Sequence, residues 1–173
     1  MVAVPTRAAK RVGRYAGKRS PNLAGAIYGT ILATAIVTGL NESASVTAPR
    51  ALAILLGTGV VFWSAHVYAH LLAGRLRGDH KTKRADVRRI MARERPLFQS
   101  TLPLAVPLVA GAFGVIGSEL ALSLATLLGI LMLVAWGVVF ARREGQGVAG
   151  MAAAAAMNAG VGLLIIALEL AVP

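Results

Sequence analysis

Cysteine is missing from this chain altogether, which rules out a disulfide framework, a thiolate metal site and thiol redox chemistry. Acidic residues are almost as scarce, seven Asp and Glu against eighteen Lys and Arg in 173 residues. The sequence offers no paired carboxylates, no nucleophile set beside a base and no phosphate-binding loop, so no enzyme activity, cofactor or metal centre is expected. Charged residues make up only 14% of the chain, and none falls in the central part of a long apolar run.

Those apolar runs dominate what is present. They cover residues 23–40, 51–73, 98–117, 120–141 and 148–172, each close to the roughly 17 to 25 residues that a hydrocarbon core of about 30 Å requires. With 57% hydrophobic residues and a mean hydropathy of +0.70, a chain of this size has too much apolar surface to hide in a soluble core. Backbone groups in lipid must be satisfied within each segment, and the runs lack the alternation of a barrel strand, so they read as helices. The expected fold is therefore all-α, a polytopic membrane protein with five transmembrane helices. A basic arm occupies 1–20, and one five-helix domain occupies 21–173, with a cytoplasmic linker at 74–97.

Basic residues set the orientation. Six lie in the arm, nine between the second and third spans, and Arg142 and Arg143 between the fourth and fifth; Arg50 alone lies on the other side. The positive-inside rule puts the N-terminus in the cytoplasm and Pro173 outside, in the inner (plasma) membrane of a bacterial cell. The arm followed by an apolar run resembles a signal sequence, with Ser43, Ala44 and Ser45 small enough for cleavage. The run of about 18 residues exceeds the usual apolar region of about 7 to 15, which favours an uncleaved anchor. Charges placed beside spans set topology and touch anionic headgroups at roughly 1 kcal/mol each, so anionic lipid and not nucleic acid is the expected contact.

Within the linker, Thr82 can cap a short helix whose Val87, Ile90 and Met91 share one side while Arg84, Arg88 and Arg95 share the other, ending at Pro96. Short turns predict that the first and second spans are antiparallel neighbours, as are the third and fourth, and the fourth and fifth. The first span is expected at the centre of the bundle.

Candidate polar positions are few. Thr30, Thr34 and Thr38 repeat every fourth residue beside the small-xxx-small pair Gly25 and Gly29, which reads as helix packing with self-bonded hydroxyls or as a stripe lining a path. His66 and His70 share a face of the second span, a spacing that suits structural hydrogen bonds, a proton-linked role or a metal. Tyr28 and His66 fall at matching depth, about 8 to 10 Å from the cytoplasmic ends of their spans, and are expected to face each other as a hydrogen-bonded pair. Thr34 and Asn158 both fall near the bilayer centre by the same count. Pro103 and Pro107 free carbonyls in the third span, and Glu42, Glu119 and Glu169 map to the outer side as possible vestibule carboxylates.

The string Gly25-Ala26-Ile27-Tyr28-Gly29, continuing to Ala35-Ile36-Val37-Thr38-Gly39, resembles the first helix of the vacuolar iron transporter family. Tyr68 and Arg75 stand at the spacing of that family's Gly-Glu-Tyr segment, and the span count and cytoplasmic insert are similar. The resemblance implies a similar fold and a dimer formed around the first span. Tyr28 stands where the family has its transport-path aspartate, and Val67 where it has a glutamate. A basic linker replaces its acidic insert, so the resemblance does not imply iron. Richness in Ala, Gly and Arg, with the Tyr-Gly-Thr-Ile and His-x-Tyr strings, also resembles small membrane proteins of actinobacterial type.

Two functions of different class follow. One is a transporter-like protein moving a proton, monovalent ion or small solute along Tyr28, Thr34, His66 and Asn158. The other is a non-transporting scaffold or subunit that packs as a homodimer or against a membrane partner. A water-filled cavity reaching Tyr28 and His66 would mark the first, and a dry packed core the second.

Overall fold

The computed structural model describes residues 23–41, 45–76 and 84–171. Among them are six helices and no strand: α1 (Leu23–Asn41), α2 (Ala48–Leu76), α3 (Arg84–Gln99), α4 (Leu102–Ala112), α5 (Ser118–Arg143) and α6 (Val148–Ala171). Four of these, α1, α2, α5 and α6, are long and apolar enough to cross a membrane, which fits a multi-pass membrane protein. The basic arm at 1–20, Ser43, Ala44 and the capping Thr82 lie outside the described residues.

The third expected span takes a different form. Instead of one helix over 98–117, α3 runs on through Pro96 to Gln99, the chain turns at Ser100 and Thr101, and α4 follows with 11 residues. That is about 16 Å of helix, half of a hydrocarbon core. Proline explains the break: Pro103 has no N–H for the carbonyl of Gln99, and Pro107 none for that of Pro103. The turn satisfies itself locally, with Ser100 Oγ donating to the Leu97 carbonyl at 2.8 Å and Thr101 Oγ1 to the Phe98 carbonyl at 2.7 Å. Pro96 removes only one helical bond, and α3, packed on both α1 and α2, continues through it.

Helix ends follow sequence rules. α4 and α5 each stop at a glycine in the left-handed region, Gly114 at φ 74° and Gly145 at φ 72°. In each case the next amide reaches back five residues: Val115 N–H to Ala110 at 2.9 Å, and Gln146 N–H to Ala141 at 3.0 Å. The first amide of α2, on Ala48, donates to Ser118 Oγ at the start of α5 at 3.0 Å. These two helices therefore begin at one end and run in the same direction. Both finish at the opposite end with basic turns, Arg75 on α2 and Arg142 with Arg143 on α5.

α1 packs chiefly on α5 and α3, and α5 chiefly on α6, α1 and α4. The expected close pairing of α1 with α2 is replaced by a slight contact, because α3 packs against both. Small residues set the close approaches. Gly111 lies between Ala48 and Ala121, and a Cβ on Gly29 would run into the Leu97 carbonyl and Ser100 Oγ. Leu55, Leu104, Leu108 and Val37 fill the core with no exposure at all. α6 leans on α5 and turns Met157, Leu163 and Leu164 outward.

Candidate functional site

The threonines of α1 face inward and are buried, with Thr30 and Thr34 at 0% exposure and Thr38 at 3%. Each hydroxyl donates to the carbonyl one turn back: Thr30 to Ala26 at 2.9 Å, Thr34 to Thr30 at 2.7 Å and Thr38 to Thr34 at 2.9 Å. Gly129 of α5 lies directly on Thr34, and the Trp136 indole N–H of α5 donates to Thr30 Oγ1 at 3.1 Å. The stripe is thus the packed, buried face between two helices.

Asn158 behaves in the same way. Its side-chain amide donates to the carbonyl of Ala154 on its own helix at 3.0 Å, and the side chain lies against Gly137. Thr34 and Asn158 do not share a level: their partners on α5, Gly129 and Gly137, are two turns apart, about 12 Å along the axis. At the turn Ser100 and Thr101 take up the carbonyls of Leu97 and Phe98, whereas the carbonyls that the prolines free are those of Gln99 and Pro103. A gap of about 10 Å³ between α1, α2 and the turn is lined by Leu32, Ile36, Phe62 and Leu97. It offers room for about one water and only apolar walls.

At the end carrying the basic turns the polar groups are arranged differently. His66 and His70 each place Nδ1 3.0 Å from a carbonyl one turn back, that of Phe62 and that of His66 respectively. A carbonyl can only accept, so Nδ1 carries the proton in both rings and Nε2 points away from the backbone. Tyr28 and His66 meet as expected from matched depth, with ring centroids 5.4 Å apart and planes tilted 48°. Their contact is ring against ring, and the Nδ1 proton of His66 goes to Phe62 instead. The Trp63 indole N–H reaches the Met91 carbonyl of α3 at 3.4 Å, tying α2 to α3.

Glu94 completes this end. It is 2% exposed on the inner side of α3, with Oε1 3.9 Å from His70 Nε2 and 4.0 Å from Arg93 Nε. The sequence reading passed over it, naming only basic residues among the charges of the linker. The signal was there: Glu94 falls one turn beyond Ile90 and Met91 and one turn before Leu97, on the side that packs inward.

Of the outer carboxylates, Glu42 and the side chain of Glu169 lie outside the described residues, and Glu119 is exposed in the first turn of α5. Among the described residues no three His, Asp or Glu side chains gather as metal ligands. No protein-family model, curated protein or solved structure matches the chain.

Proposed function

We propose that this is a five-pass protein of a bacterial inner membrane whose work is structural: a non-transporting subunit that packs as a dry bundle against a second copy or a membrane partner. The single observation that carries this reading is the threonine stripe of α1. The polar residues best placed to line a path are buried against Gly129 and bonded to their own helix. In this reading α3 and α4 together make the third pass. The exposed Arg75, Arg84, Arg88, Arg89, Arg93, Arg95, Arg142 and Arg143 meet anionic headgroups on the cytoplasmic side, and Arg50 lies outside.

Purified protein in liposomes tests it. Proton, monovalent-ion and small-solute leak should equal that of empty vesicles at every pH. A pH-dependent flux that His66→Ala abolishes would overturn the structural reading in favour of transport. Orientation has its own test: cysteines at Ser45 and Ser118 should react with an impermeant thiol reagent on intact cells, and one at Thr82 only after lysis.

Transport remains the second reading because one observation favours it: Tyr28, His66, His70 and Glu94 gather at the inner end of α1, α2 and α3. An ionisable group buried in a membrane protein is retained for a reason, and its nearest partner is the place to look.

A further inference from the structure

We propose that anionic lipid seats α3: its arginines, set in two rows along the edges of its exposed side, bind the phosphate headgroups of lipids lying against α1 and α2. The arrangement follows from helix geometry. At about 100° per residue, Arg84, Arg88 and Arg95 fall along one edge of α3, and Arg89 and Arg93 along the other. Glu94 and Leu97 lie between the rows on the buried side, and Ala85, Ala92 and Gln99 between them on the exposed side. A helix facing water carries charge across the middle of its exposed side. Here the middle is uncharged, and the charge sits at the margins, where long apolar stems reach sideways along neighbouring helices.

α3 carries these five arginines against two acids, Asp86 and Glu94. Arg93 stays 69% exposed beside Glu94, and among the described residues Arg84, Arg88, Arg89 and Arg95 form no ion pair. Positive charge is therefore left over for an anion from outside the chain. A second, independent feature says which anion. Every Tyr and Trp among the described residues lies at this end of the bundle: Tyr28 against His66, Tyr68 beside it on α2, Trp63 on the Met91 carbonyl of α3, and Trp136 on Thr30. Such side chains collect at the headgroup level of a bilayer, so the belt sets the arginine rows beside lipid phosphate. The buried side of α3 packs on α1 and α2, both long and apolar enough to cross a membrane. Each arginine near an anionic surface contributes about fivefold to binding. Lipid held along both edges keeps α3 in place between those two helices.

This inference rests on the reading that the chain crosses a membrane with α3 at one face of it. Flux tests the structural role and lipid dependence tests this seat, so either can fail while the other stands. The experiment compares amide hydrogen exchange of the full chain in nanodiscs of phosphatidylcholine and in nanodiscs that also contain phosphatidylglycerol. With the anionic lipid, α3 amides should exchange roughly tenfold more slowly, the contribution of one to two arginines at such a surface. Substituting Gln for Arg84, Arg88 and Arg95 together, or for Arg89 and Arg93 together, should each cut that slowing to about threefold, and all five substitutions should abolish it. Arg142→Gln with Arg143→Gln, at the end of α5, should leave it in place. Inorganic phosphate added to the phosphatidylcholine discs should slow nothing; slowing there would make this a site for free anion and overturn lipid as its occupant. Should a glutamine variant fail to fold, the wild-type chain gives the same test. Raising salt from about 0.1 M to about 1 M shrinks the screening length from about 10 Å to about 3 Å and should erase the difference between the two discs. Equal exchange in both discs would overturn the proposal, as would slowing that survives high salt or all five substitutions, or that the α5 variant loses.

Discussion

The seam between α1 and α5 and the seam between α2 and α3 both carry polar side chains inside an apolar bundle, and they treat them in opposite ways. Along α1, Thr30, Thr34 and Thr38 each find a carbonyl on their own helix, so the neighbour need supply only a flat surface, and Gly129 does. In the α2–α3 seam the histidines also bond their own helix through Nδ1, but each ring has a second nitrogen, and that of His70 looks across to Glu94. A hydroxyl can be satisfied at home, whereas an imidazole cannot be satisfied by one carbonyl. The first seam is therefore built for packing, and the second is where chemistry has an opening.

The largest effect should come where α1 crosses the end of α3 and the turn after it, with backbone set against backbone without slack. Gly29→Val places a branched side chain against the Leu97 carbonyl and Ser100, neither of which can swing aside. Overpacking of this kind costs about 1 to 3 kcal/mol or more, and the expected readout is a lower melting temperature with loss of monodisperse protein. Gly57→Ala, where nothing lies within reach of the new Cβ, should leave both unchanged. If Gly29→Val melted like wild type, the close approach of α1 to the turn would be wrong.

A smaller effect belongs to the second seam. Glu94→Ala removes a buried carboxylate facing His70 and leaves space behind it, at about 1 to 3 kcal/mol. Its distinguishing mark is location: faster amide exchange should appear in α3 and in the C-terminal half of α2, with the α1–α5 seam still protected. Uniform loosening of all helices would mean that the two seams are not separate units.

Much of the architecture was legible in the sequence. Long uncharged runs gave α1, α2, α5 and α6, and depth counting brought Tyr28 to His66, because rise per residue in a helix varies little. The third leg was harder. Two prolines one turn apart do not reveal whether a helix bends or stops, since that depends on whether Ser100 and Thr101 can bond the Leu97 and Phe98 carbonyls where the turn meets Gly29. Connection length misled as well: the short outer turn suggested that α1 and α2 pack together, yet the better fit is α3 against both of them. Glu94 was hidden by composition, because one acid among arginines looks solvated until the periodicity of the apolar side is followed past Met91. Asn158 showed the reverse: counting residues set it level with Thr34, yet it lies against Gly137, two turns along α5 from the glycine that meets Thr34, and uses the Ala154 carbonyl one turn back.

The smallest expected effect is the most informative about function. Thr34→Val keeps the branched shape that fits under Gly129 and deletes only a hydroxyl whose bond goes to Thr30 of the same helix. Donor and side-chain oxygen leave together, and the Thr30 carbonyl keeps its place in the helical ladder, so the loss should stay within about 1 kcal/mol. Thr30→Val should cost somewhat more, because Thr30 Oγ1 also accepts the Trp136 indole N–H, which would lose that acceptor in a half-buried place. The order Thr30→Val worse than Thr34→Val, both measured by thermal melting in one detergent, follows from a stripe that packs. A water-lined path predicts the opposite pattern, with little change in stability for either variant and loss of flux for both. Tryptophan fluorescence gives an independent reading: the Trp136 emission should shift in Thr30→Val and stay put in Thr34→Val.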